Sequence, residues 1–189
     1  MPLQYQVFYR QMDAKGDAIV AAAVSQAIAD AEKLWQPETF DGVFSTKGFG
    51  VARLEKWYMA PNSTAAMGSA CGPSNDWAVS ITTAYTWETI YTATTSDDVY
   101  CIITGVFNYD ATPDITHLKI TADGVEYPTM NIEEIYGWDI AVAYMSHPII
   151  IRPQKNYRIE CKAKTAGRKA FGLLGYAIAR RSKLIQRIA

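Results

Sequence analysis

A two-residue rhythm beginning at Trp77 limits this chain more than any other feature. Trp77, Val79, Ile81, Thr83, Tyr85, Trp87, Thr89 and Tyr91 alternate with Ala78, Ser80, Thr82, Ala84, Thr86, Glu88, Ile90 and Thr92. The first set is largely aromatic or β-branched, the second mostly small or polar. Successive side chains of a strand point to opposite faces, so the pattern predicts a half-buried strand, or two strands joined by a bend. The run VYCIITGVFNY at 99–109 is apolar at both parities, as expected of a central strand.

Turn residues punctuate the remainder of the chain. TTSDD at 94–98 and DATPD at 110–114 bracket the apolar run. Asp123-Gly124 sits between ITA and VEY, and Asp-Gly favours the type I′ turn of a tight hairpin. Further strands are predicted at Ile115–Thr121, Ile140–Met145, Ile149–Ile151, Tyr157–Ala163 and Phe171–Ala179. Pro148 and Pro153 flank the short Ile149–Ile151 segment, which suggests an edge or a corner. No helical period of useful length intervenes. The expected fold class is mainly β: an antiparallel β-sandwich, jelly-roll-like, over residues 77–180.

The residues before this region read differently. Gln4 to Tyr9 suits a short strand with Tyr5, Val7 and Tyr9 on one face. Gly16 breaks the chain, and Asp17 is a good N-cap. Val20, Val24, Ala27, Ile28, Ala31 and Trp35 then form one apolar stripe on a helix over about 17–35, with Pro37 beyond its end. The alanine-rich stripe permits close packing, either on its own domain or against another subunit, which makes Trp35 a candidate contact. Residues 40–60 are mixed. PNSTAAMGSACGPSND at 61–76 reads as a loop or linker. The expected organisation is an N-terminal segment with one amphipathic helix (1–60), the loop (61–76), the sandwich (77–180) and a basic tail (181–189).

With 189 residues, 49% hydrophobic and 20% charged, the chain has ordinary globular composition and can bury a core without staples. No apolar run reaches the length of a membrane helix. MPLQYQVFYRQMDAKGD has no basic region followed by an apolar one, so it does not read as a signal peptide. Cys71, Cys101 and Cys161 are odd in number and widely spaced, which reads as reduced, buried thiols. Charge is uneven. Residues 1–150 hold 7 Lys+Arg and 18 Asp+Glu, a net of −11, whereas residues 151–189 hold 11 against one, a net of +10. Either late cations neutralise early acids within one molecule, or the split drives head-to-tail contact between copies.

Candidate chemistry is sparse. The two histidines, His117 and His147, stand beside no recognised nucleophile motif. No short-spaced cysteine or histidine pair suggests zinc. Asp97-Asp98, Asp110 with Asp114, and Glu133-Glu134 are acidic clusters that suit solvated turns better than calcium or glycoside hydrolysis. Gly48-Phe49-Gly50 lacks the third glycine of a phosphate loop, and Asn62-Ser63-Thr64 is a sequon without a secretory signal. In the tail, Arg180, Arg181, Lys183 and Arg187 interleave with Leu184, Ile185 and Ile188. The apolar members favour docking on another subunit over nucleic acid. Twelve tyrosines and five tryptophans would fill a core, anchor interfaces or stack on sugars.

WAVSITTAYTWETIYTAT, ITADGVEYP and PIIIRPQKNYRIECKAKTAGRKAFGLLGYAIARR together resemble the Thr-rich, hairpin-built sandwiches of minor capsid and head-decoration proteins of tailed viruses. Carbohydrate-binding modules share this texture. The resemblance spans roughly residues 77–180 and implies a non-enzymatic role, symmetric self-association and docking on a larger shell. The expectation is therefore a virion structural protein, made in the host cytoplasm, homo-oligomeric, in contact with other virion proteins, with no cofactor and no membrane or nucleic-acid partner. Trp35, Arg180, Arg181, Lys183, Leu184, Ile185 and Arg187 are the expected contact residues. The alternatives are a carbohydrate-binding module and a small hydrolase using acidic residues.

Overall fold

The computed structural model describes residues 8–9, 13–35, 39–40, 43–44, 48–59, 77, 79–108, 114–133 and 142–186. Strand β1 (Phe8–Tyr9) precedes helix α1 (Ala14–Leu34). The short strands β2 (Thr39–Phe40) and β3 (Val43–Phe44) pair with each other. Then come β4 (Phe49–Arg53), α2 (Lys56–Met59), β5 (Val79–Ile81), β6 (Glu88–Thr94), β7 (Val99–Asn108) and β8 (Ile115–Ala122). The chain continues through β9 (Val125–Glu126), β10 (Met130–Asn131), β11 (Val142–Ile151), β12 (Asn156–Ala163), β13 (Gly167–Lys169), β14 (Phe171–Arg180) and α3 (Arg181–Gln186). No helix among the described residues is long and apolar enough to cross a membrane.

Two five-stranded antiparallel sheets carry the fold. The first runs β1-β11-β7-β14-β4; the second runs β10-β8-β12-β6, with β9 also on β8. Four pairs nest inside one another along the chain: β4 with β14, β6 with β12, β7 with β11, and β8 with β10. One long hairpin has thus folded over on itself. Successive members of each arm fall alternately in the first and second sheet, the eight-stranded jelly-roll order. The two sheets share one buried core. Val99, Cys101, Ile103 and Ala177 of the first lie in the same cluster as Tyr91, Leu118, Ile120 and Ile159 of the second.

The outer face of the first sheet carries the helix. Ala27 and Ala31 of α1 and its C-cap Trp35 bury against Phe49, Tyr100, Ile102 and Ile178, with Val24 and Ile28 at the margin. The alanine stripe therefore packs on its own sheet. β7 is buried at every position: Val99, Cys101, Ile103 and Val106 belong to the core between the sheets, and Tyr100 and Ile102 face the helix. The helix starts earlier than the sequence predicts. Asp13, not Asp17, is the N-cap, and its carboxylate accepts from the Gly16 amide at 2.7 Å. Gly16 is thereby taken into the first turn and does not break it.

Residues 61–76 lie outside the described residues, as do 1–7, where Tyr5 and Val7 of the expected first strand fall. The segment before position 60 is joined to the sheets. β4 pairs with β14 from Phe49↔Arg180 to Arg53↔Tyr176, and Leu54, Tyr58 and Met59 enter the main core. The edge of β14 away from β7 is thus paired by a strand from before residues 61–76.

The alternation from Trp77 divides into β5 and β6, the bent alternative. Between them Glu88 accepts from the Thr82 amide at 3.0 and 2.9 Å, from Thr82 Oγ1 at 2.8 Å and from the Thr83 amide. This folds 82–87 into a turn, with Tyr85 at φ 57° and 71% exposed. Tyr85 is a loop tip and not a member of the apolar face. The described part of the 140–145 segment, from Val142, and 149–151 become one strand, β11, whose register shifts between Tyr144 and Ile149; residues 140 and 141 lie outside the described residues. Pro148, which lacks an N–H, sits within that irregularity. Asp123 and Gly124 take φ 53° and 75°, as a type I′ turn requires.

Candidate functional site

Three surfaces gather the residues with chemical potential. The first is a cleft of about 460 Å³ at the C-terminal end of α1, lined by Leu34, Trp35, Asp97, Tyr100, Arg152 and Arg180 among others. Trp35 is only 6% exposed and meets Tyr100 edge-on with centroids 5.6 Å apart. Much of its surface is spent within the molecule, yet the fold brings it to one cleft with Arg180. The amides of Arg180 and Arg181 donate to the Asp98 and Gly48 carbonyls at 2.9 and 3.0 Å, so the strand end is tied down. Arg181 is exposed, while Leu184 packs on the main core. Lys183 and Ile185 belong to α3, and Arg187 lies outside the described residues.

The second surface is an apolar groove of about 430 Å³ on the outer face of the first sheet, lined by Val51, Thr104, Tyr144, Leu174 and Tyr176. None of its lining residues belongs to α1. Val51 and Tyr176 are 48% and 40% exposed.

The third is the outer face of the second sheet. Along β12, Tyr157, Ile159, Cys161 and Ala163 point inward, so Arg158, Glu160 and Lys162 point outward. On β8, Leu118, Ile120 and Ala122 are buried, and His117 and Lys119 face out. Lys162 lies opposite His117, and Glu160 opposite Lys119. The turn fixed by Glu88 delivers Trp87 onto this face. The Lys119 and Lys162 ammonium groups each lie over its ring, 5.1 Å from the centroid. The His117 ring stands edge-on to it at 6.4 Å. Glu160 Oε2 is 3.2 Å from Lys119 Nζ and 3.4 Å from Arg158 Nε. These are ion-pair distances, though neither contact has hydrogen-bond geometry.

The other sequence candidates are dispersed. His117 is on the second sheet, with Nδ1 2.9 Å from Thr116 Oγ1, and His147 is on the first, with Nδ1 3.0 Å from Ser146 Oγ. Asp110 and Glu134 lie outside the described residues. Ser96 donates to Asp98 in the β6–β7 turn. Glu133 pairs with Lys164 at 2.7 Å. Asp114 is buried, forms an ion pair with Lys169 and accepts from the Thr165 amide and hydroxyl at 3.1 and 2.7 Å. Burial alone would raise its carboxyl, but these partners outweigh that and hold it below the usual carboxylate value. Lys155 also meets Asp123 at 3.0 Å. At these three pairs, among the described residues, late cations neutralise early acids within one molecule. Among the described residues, no three His, Cys, Asp or Glu side chains converge to hold a metal ion.

The signal for the Trp87 cluster was present as scattered residues. Alternation places Lys119 on one strand and Arg158 with Lys162 on another, but nothing local says that these strands are neighbours. No known family, curated protein or solved structure matches the chain.

Proposed function

We propose that the protein is a structural component of a virus particle, acting by self-association and by docking on other structural subunits. The observation that carries this reading is the nested pairing of β4–β14, β6–β12, β7–β11 and β8–β10. This jelly-roll order is the one used by viral capsid domains and also by lectins. It is a likeness of architecture, and one fold hosts many functions. The exposed groove around Val51 and Tyr176 supports the assembling role, because apolar surface left in water marks contact sites. The contact surface proposed is this groove together with the Trp35–Arg180 cleft.

Sedimentation velocity of the whole chain tests it. The expected result is an oligomer that Val51→Glu and Tyr176→Glu convert to monomer, with circular dichroism unchanged. A chain that stays monomeric at its highest soluble concentration would overturn the reading. These outward substitutions are cleaner than removing residues 180–189, because Leu184 helps to pack the core.

A further inference from the structure

We propose that the outer face of the second sheet, centred on Trp87, binds an acidic glycan, meaning a sugar ring that carries a carboxylate. The inference is independent of the assembly reading: a monomer or an oligomer could carry this site.

Two features of the ligand follow from the geometry. The Trp87 ring is half-buried at the end of the turn that Glu88 organises. A sugar presents one face of weakly positive C–H groups, which pack on the negative face of an indole. That specifies a flat, partly apolar ring. Lys119 and Lys162 lie over the indole, and Arg158 and Glu160 point outward from the same sheet face. The Glu88 carboxylate beside Trp87 is taken up by Thr82 and Thr83. Lys119, Arg158 and Lys162 stand against Glu160 and the already occupied Glu88, so a ligand that brings negative charge is favoured. An arriving carboxylate would draw the Lys119 and Lys162 ammonium groups from the ring into charge-assisted hydrogen bonds.

The same residues disfavour the competing ligands. A neutral sugar would leave the ammonium groups without use. Single-stranded nucleic acid binds a succession of aromatic platforms along a track of cations. Among the described residues this face offers one indole, and Glu160 stands among its cations, where it would repel a phosphodiester. A sugar acid can use Glu160 instead: its hydroxyl groups donate, and the carboxylate accepts.

The test is fluorescence and calorimetric titration of the whole chain with four oligosaccharides. They are a glucuronate–N-acetylglucosamine tetrasaccharide, an N-acetylglucosamine tetrasaccharide, sialyllactose and lactose. Oligothymidylate is the fifth probe. The expected result is saturable binding of at least one acidic sugar, at least tenfold tighter than its neutral counterpart and weakened by salt. Lys162→Gln should weaken it about tenfold, the equivalent of one lost charge-assisted contact. Trp87→Phe should remove most of the fluorescence change while thermal melting stays close to that of the parent. Failure of both acidic sugars to bind, equal affinity for a neutral counterpart, or tighter binding of oligothymidylate would each overturn the proposal. Glycan binding and sedimentation are read separately, so either idea can fail alone.

Discussion

The hydroxyl of Tyr91 donates to the main-chain carbonyl of Phe171 at 3.3 Å, 80 residues further along the chain. Tyr91 belongs to the second sheet and Phe171 to the first, so this bond ties the two layers through the core. Tyr91 is fully buried and also receives Trp77 edge-on at 5.7 Å. Tyr91→Phe should cost about 1 kcal/mol, the net worth of one hydrogen bond. Tyr91→Ala should cost about 3–5 kcal/mol by adding a large cavity. Urea unfolding measures both, and a Tyr91→Phe chain as stable as the parent would show that the hydroxyl contributes nothing.

The Asp114–Lys169 pair anchors the start of β8 to the end of β13. Asp114→Asn leaves the Lys169 charge buried and should cost about 3 kcal/mol at neutral pH. The native carboxyl is held below its ordinary value. Its stabilisation is therefore complete above about pH 4, the unfolded carboxylate pKa, and is lost as pH falls through the lower folded value. Stability measured from pH 7 to pH 2 should drop more steeply for the parent than for Asp114→Asn. Parallel curves would contradict the assignment.

Gly175 lies at the register shift between β14 and β7, with φ 155°. A methyl group there would stand 1.8 Å from the Ile102 carbonyl oxygen. Gly124, at φ 75°, has nothing within 4 Å of the same position. Gly124→Ala should therefore cost only the left-handed penalty, about 1–2 kcal/mol. Gly175→Ala should cost more, because two central strands must separate. Calorimetric melting of the two variants ranks them, and a milder effect at 175 would refute the close approach.

Cys101 and Cys161 are buried free thiols. Burial pushes the Cys161 thiol up to about 12 and Cys101 further still, so neither forms a thiolate at neutral pH. A Cys71→Ser chain should react with a disulfide reagent only once denaturant unfolds it. Rapid labelling of the folded chain would show that the core opens.

How far the sequence could be read varied by element. The central position of β7 was legible because both parities of 99–108 are apolar. The 123–124 hairpin was legible because Asp-Gly tolerates positive φ. β4 was not: five residues with a glycine at position 50 carry little pattern. Leu184 closes on that glycine, where a methyl would stand 2.6 Å from its Cδ1. The phase of β6 also departs from the simple alternation, since Ile90 is buried beside Tyr91. The turn at 82–87 resets the alternation, and what builds that turn is the Glu88 side chain.

What the sequence alone determined is local: the side-chain period of each strand, the residues able to turn, and a helix with one alanine-rich stripe. Those depend on backbone geometry within a few residues. Which strands became neighbours was decided by tertiary structure. Pairing satisfies hydrogen-bonding edges between segments more than 120 positions apart, as β4 and β14 are. That choice turned the alanine stripe inward onto β7. It also set Trp87 among His117, Lys119 and Lys162, three residues that no spacing rule would have put together.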